Sequence, residues 1–271
     1  VSTAREQRFI QDGFIRLESV FSRATARRCV EMLWRDTGCD PDDPATWTRP
    51  LVRLPGHDIE PFRTIARMPL LEQAFDRLVG PGRWIPDSRL GPVPVRFPHP
   101  DPPHDDYWHF EGSYLPGGWK GHSFTNYRSR ARGLFLFVLF TDVTDVDAPT
   151  RMRVGSHRAV PACLYRYGEA GIDATRIGET GVLEATAAAP IAYATGRAGD
   201  IYLCHPFLIH AAQRHRGTTP RFMATPTLKP AVPLEIDRPD GAYSPVEIAI
   251  RMGLREHLEV RADSTVPPPP A

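Results

Sequence analysis

Lysine is almost missing from this chain: of its 33 basic residues only Lys120 and Lys229 are lysine, and all the others are arginine. A codon bias toward arginine, alanine and proline explains this more simply than anion recognition, so it assigns no partner. Cysteine is scarce too. Cys29, Cys39, Cys163 and Cys204 are far apart and form no Cys-x-x-Cys pair, which argues against a disulfide scaffold or a cysteine zinc site and fits a reducing compartment. No apolar run is long enough to cross a bilayer, and Val1 to Arg8 lack the apolar centre of a signal peptide. A cytoplasmic protein without a membrane partner is expected. The formal charge of +1 gives no general pull toward nucleic acid, and there are no internal repeats. At 271 residues, 41% of them hydrophobic, the chain suits one globular domain with helical additions.

What is present changes period along the chain. Thr3-Ala-Arg-Glu6 resembles a capping box opening a short helix with Phe9 and Ile10 on its apolar side and Gly13 as its stop. Phe14 to Val20 alternates as a strand, and a second helix runs from near Ser22 to near Gly38. Residues 39–66, rich in Asp and Pro, read as a long irregular connection over the mouth of a pocket. Leu70, Leu71, Ala74, Phe75 and Leu78 form a helical stripe closed by Gly80-Pro-Gly82. From there strands dominate: Val93 to Phe97, then Trp108 to Tyr114 after a proline-rich loop, then Leu134 to Phe140, apolar on both faces. A helix is expected from Pro161 to Glu169, the alanine-rich run 185–189 is ambiguous, and Ser244-Pro-Val-Glu247 is a second capping box opening a helix over 245–256. The fold class this pattern predicts is mainly β, a double-stranded β-helix (a cupin-like jelly roll) with flanking α-helices. One domain covers 1–265, with its jelly-roll core from about 85 to 230, and 266–271 form a disordered proline tail.

Two stretches carry chemistry. In Tyr107-Trp-His-Phe-Glu-Gly-Ser-Tyr114 an extended backbone puts His109 and Glu111 on one face and Phe110 on the other. In Gly199 to Phe222 a buried strand follows the Gly199-Asp200 turn, His210 comes after an apolar pair, and Arg221 opens another strand-like run. A His-x-carboxylate pair with a distant histidine is the donor set of the facial triad that leaves half the coordination sphere of Fe(II) open. His104-Asp105-Asp106 offers a competing pair in a less ordered loop, and His205 competes with His210 but sits before Pro206. Gly155-Ser-His-Arg158 reads as a self-capped turn. Arginines 128, 130, 132, 151, 153 and 158 read as a solvated face, with a basic rim for an anionic substrate as the alternative.

Three motifs in order, Trp108-His-Phe-Glu-Gly112, then Gly133 to Asp142 leading through Pro149 to Gly155-Ser-His-Arg158, then Gly199-Asp200 through His210 to Arg221, resemble the phytanoyl-CoA dioxygenase-like family of Fe(II)/2-oxoglutarate-dependent oxygenases. The resemblance runs from Asp12-Gly-Phe to about Leu228. It implies that His109, Glu111 and His210 bind Fe(II) and that Arg221 grips the distal carboxylate of 2-oxoglutarate, with O2 as the oxidant and a small molecule as the substrate to be hydroxylated. The family's usual carboxylate is aspartate, one methylene shorter than Glu111. Ala212 stands where a hydroxyl residue is often found, so Arg96, Asn126, Tyr127 and Thr218 become the further 2-oxoglutarate contacts to consider, by location. Glu111 argues against halogenation, which needs the carboxylate position vacated. The rival readings are a cupin-like binding protein without turnover and a zinc-dependent hydrolase using the same ligands.

Overall fold

A computed structural model of the chain describes residues 2–117 and 119–263; the expected tail 266–271 lies outside them. Its centre is the strand Leu134–Leu139, buried at every position. It pairs antiparallel with Ile201–Cys204 on one side and with Met223–Ala224 and Thr227–Leu228 on the other, and Phe14–Leu17 adds to the outer edge of Ile201–Cys204. Side chains alternate across a strand, which explains why this run is apolar throughout. Leu134, Leu136 and Val138 pack with the helices in the main core, while Phe135, Phe137 and Leu139 face a second cluster with Met152, Leu208 and Met223. That second cluster includes residues of the facing three-stranded sheet, His210–Ala211, Arg151–Arg153 and Ile191–Tyr193. Two sheets closing over an apolar interior form the expected jelly roll, although its strands are short.

Helices cover the outer face of the larger sheet. Arg23–Thr37 is capped by Ser22 and ended by Gly38 in the left-handed region. Pro245–Asp263 opens with a reciprocal box: Ser244 N donates to Glu247 Oε2 at 2.9 Å and Glu247 N to Ser244 Oγ at 3.3 Å. Among the described residues no helix is long and apolar enough to cross a membrane.

Several expectations need correcting. The first helix, Thr3–Asp12, is capped by Ser2, whose hydroxyl accepts from Arg5 N, and not by Thr3; Glu6, the supposed box partner, pairs instead with Arg77 at 2.6 Å. The connection 39–66 contains the strand Leu51–Leu54, paired with Val93–Arg96, and the helix Phe62–Ala66; the buried Val52 and Leu54 flanking exposed Arg53 are too brief a pattern to stand out among prolines. Leu70 is exposed and outside the buried stripe of Pro69–Leu78. Trp108 to Tyr114 is no continuous strand: it makes two isolated bridges, His109 with His210 and Tyr114 with Phe124. The helix expected from Pro161 starts earlier, as Ala159–Leu164, and tightens to a 3-10 turn over Tyr165–Tyr167.

Candidate metal centre

His109 N donates to His210 O at 3.0 Å and His210 N donates to His109 O at 2.9 Å. Two residues that exchange both backbone bonds sit directly opposite each other, so their side chains share a face, and the two imidazole centroids are 4.5 Å apart. Glu111, two residues on from His109, projects to the same side, while Phe110 between them is buried against Phe207. One bridge is therefore enough to do what a full strand was expected to do. Glu111 Oε1 lies 3.8 Å from His109 Nε2 and 3.9 Å from His210 Nε2, and one ligand atom from each of the three residues falls within 4.8 Å of the others.

The donor set suits a metal. Each ring turns Nδ1 toward a backbone carbonyl, His109 toward Tyr107 and His210 toward Leu208, both at 3.0 Å. A carbonyl only accepts, so Nδ1 carries the proton and each Nε2 keeps a lone pair aimed at Glu111, which is the usual outer support of metal-binding histidines. His210 is fixed further by Phe135, stacked at 4.7 Å, and Phe137 at 5.9 Å. Burial first, then the neighbouring His109, push His210 down to about 4, so it is neutral at pH 7. Burial alone would raise the Glu111 carboxyl. The neighbouring His109 imidazole and the charge of Arg132 outweigh it and hold the group far below the usual carboxylate range.

These residues form part of the wall of a cavity of about 470 Å³. Arg221 forms another part, with a guanidinium that is fully buried. Its Nη1 donates to the Ala148 carbonyl, and its Nε has no hydrogen-bond partner. Beside it, Arg96 is the backbone partner of Arg221. Arg96 donates both terminal nitrogens to Asp105 at 2.9 and 2.8 Å, and Arg53 adds a third bond to Asp105 at 2.6 Å. Arg96 is thus in the cavity with its fork already committed. Arg221, which no carboxylate engages among the described residues, is a buried cation in the cavity wall whose site fits a carboxylate.

Asn126, Tyr127 and Thr218 do not line this cavity. Asn126 and Tyr127 bind Glu169, through its carbonyl at 3.0 Å and its carboxylate at 2.6 Å, and Thr218 is exposed. Hydroxyl side chains in the cavity wall are those of Tyr107, Thr150, Thr225 and Thr227. A signal for Thr225 and Thr227 existed: Arg221, Met223, Thr225 and Thr227 alternate, and all four face the cavity. His104 and Asp106, the competing pair, are both exposed and join no three-residue ligand cluster among the described residues; Asp105 between them is held by the arginines. His205 is buried, with Nε2 on the Val246 carbonyl. In the Gly155 turn Ser156 Oγ accepts from Ile209 N at 2.9 Å. The arginine row is no plain solvated face: Arg151 and Arg153 lie 4.9 and 4.5 Å from the Trp108 ring centroid, and Arg132 binds Glu111.

A jelly roll whose interior brings two histidines and a carboxylate together beside a buried arginine defines the class of non-haem Fe(II) oxygenases. Residues 44–223 match the family described as phytanoyl-CoA dioxygenase. The chain belongs to that family and is an iron- and 2-oxoglutarate-dependent oxygenase by membership. Among solved structures it is similar to HygX from Streptomyces hygroscopicus with nickel, 2-oxoglutarate and hygromycin B bound, at TM-score 0.55 and 16% identity over 85% of this chain and 88% of that one. It is also similar to SnoK, a non-heme alpha ketoglutarate dependent carbocyclase from nogalamycin biosynthesis, at TM-score 0.57 and 16% identity over 87% and 94%. A third is the epimerase SnoN in complex with Fe3+, alpha ketoglutarate and nogalamycin RO, at TM-score 0.54 and 17% identity over 89% and 91%. At such identities the likeness speaks for the fold. No curated protein matches the sequence.

Proposed function

We propose that this oxygenase hydroxylates an unactivated C–H bond of a small molecule, a secondary metabolite or acyl compound, with His109, Glu111 and His210 holding Fe(II) and Arg221 holding the distal carboxylate of 2-oxoglutarate. The observation that carries this is a single cavity in which two Nε2 atoms and a carboxylate oxygen converge while a buried guanidinium with an unpaired nitrogen forms another wall. The family and the ligands of similar structures, hygromycin B and nogalamycin RO, support a small-molecule substrate. When bound, iron and 2-oxoglutarate supply the oxidation, consuming dioxygen and releasing succinate and carbon dioxide.

The protein's own part is geometry and exclusion of water. The carbonyls of Tyr107 and Leu208 fix both imidazoles, and Phe135 and Phe137 keep the His210 side dry. Arg221 sets the orientation of the diacid through a planar fork, and Thr150, Thr225 and Thr227 offer the hydroxyl contacts that Ala212 cannot. Hydrolysis at zinc has no use for a buried dicarboxylate anchor, which weighs against that rival. The test is succinate release from 2-oxoglutarate in the presence of Fe(II) and ascorbate over a broad panel of small molecules, with the oxygenated product identified by mass. Glu111→Ala should abolish both metal retention and turnover. Unchanged iron content and turnover in that variant, or no succinate with any panel member, would refute the proposal.

A further inference from the structure

The two oxygens of Glu111 have different partners. Oε1 faces the histidine Nε2 atoms, whereas Oε2 accepts a hydrogen bond from Arg132 Nη1 at 3.1 Å. Glu111 is the only carboxylate paired with Arg132 among the described residues. The turn carrying Arg132 is well tied: Arg132 N donates to Ser129 O at 3.2 Å, Ser129 Oγ donates to Arg132 O at 2.9 Å, and Gly133 N donates to Leu228 O at 2.8 Å. That turn leads straight into the central strand Leu134–Leu139. The Arg132 side chain, 17% exposed, therefore reaches the cavity from a turn tied by hydrogen bonds to the central sheet.

A glutamate has one more rotatable bond than an aspartate, so holding its carboxylate in one place costs more rotamer entropy. We infer that Arg132 is the positioning residue that makes the longer side chain work: it holds Oε2, so Glu111 presents Oε1 alone to a metal held with His109 and His210. Committing one oxygen to the guanidinium also means that the carboxylate fills a single coordination position, leaving the others for 2-oxoglutarate and dioxygen. This rests on the reading of Glu111 as a ligand.

The test uses metal binding alone. Metal-free protein is titrated with Co(II), following the dissociation constant and the visible absorption of the bound ion, in the wild type, Arg132→Met, Arg132→Lys, Glu111→Ala and the Glu111→Ala/Arg132→Met double variant. Arg132→Met should weaken Co(II) binding about 10- to 100-fold, the usual range for loss of a group that orients a ligand, and should alter the spectrum. Arg132→Lys, which keeps a charged donor, should recover most of the affinity. In the Glu111→Ala background Arg132→Met should add nothing, because Arg132 acts only through Glu111. If Arg132→Met lacks a cooperative melt, Arg132→Gln takes its place. Wild-type Co(II) affinity in Arg132→Met, or losses that simply add in the double variant, would overturn the inference. Wild-type affinity in Glu111→Ala would instead overturn the ligand reading beneath it.

Discussion

Arg221 sets binding against stability in a way that one substitution can separate. Burial first, then the charge of Arg96, pull its pKa well below the ordinary arginine range, with Asp105 opposing them. Asp105 is itself engaged by Arg96 and Arg53, so Arg221 is poorly compensated. Replacing buried ionic groups with apolar ones of similar size is often neutral or stabilising by about 1–4 kcal/mol. Arg221→Met keeps much of the side-chain volume and removes the charge, at the loss of the hydrogen bond to Ala148, worth about 1 kcal/mol. The net expectation without 2-oxoglutarate is a melting temperature equal to the wild type or a few degrees above it, at about 2 °C for each kcal/mol in a chain of this length. Binding should move the other way. Two hydrogen bonds to a carboxylate, each worth about 1.5–3 kcal/mol, correspond to roughly 100-fold or more in 2-oxoglutarate affinity. Arg221→Lys keeps the charge but not the fork and should lose about tenfold. Thermal melts of the metal-free protein and calorimetric titration of 2-oxoglutarate into the Co(II)-loaded protein measure both sides. A melting temperature far below wild type in Arg221→Met would make the arginine a structural residue, and wild-type 2-oxoglutarate affinity in Arg221→Lys would refute bidentate binding.

Acid should destabilise the fold through the histidines buried beneath the first helix. His157, held down to about 3 by burial, and His205, lowered in the same sense, have ring centroids 4.8 Å apart. The unfolded chain takes up protons near pH 6.5 and the folded one does not, so their contribution is complete above about 6.5 and falls toward pH 3, by about 1.4 kcal/mol per pH unit for each group. Denaturant titrations at pH 7 and 5 should show the wild type losing about 2 kcal/mol more than His157→Gln; equal losses would count against it. Gly13→Ala tests the same region: at φ +87° a Cβ would lie 2.5 Å from His157 Nδ1, so a loss of at least about 1–2 kcal/mol from the left-handed backbone alone is expected. A melt within error of the wild type would show that the contact relaxes freely.

The parts of the fold that were legible were those with a local physical signature. Ser22 and Gly38 bracket their helix because a hydroxyl satisfies free N–H groups at one end and glycine tolerates the left-handed turn at the other. Leu134 to Leu139 read as buried on both faces because no polar residue interrupts it. His109 and Glu111 read as sharing a face from period-two spacing alone. What escaped were pairings between charges far apart in sequence. Arg53 and Asp105 are 52 residues apart and Arg132 and Glu111 are 21 apart, and no periodicity links them. Asp105, which lies between the His104 and Asp106 of the competing pair, neutralises Arg96.

The misplaced 2-oxoglutarate contacts point to a more general rule about this interior. Asn126, Tyr127 and Thr218 are candidates by location in the sequence alone, which does not say which face of an element a side chain occupies. Cavity residues come instead from alternate positions on facing elements: Phe135 and Phe137, Arg221 through Thr227, Pro94 and Arg96, His109 and Glu111. The intervening residues Leu136, Phe222, Ala224, Val95 and Phe110 belong to the packed core. A change at an intervening position should therefore act on stability, and a change at a lining position on ligand affinity. That division follows from the pleat of the backbone before any side-chain chemistry is considered.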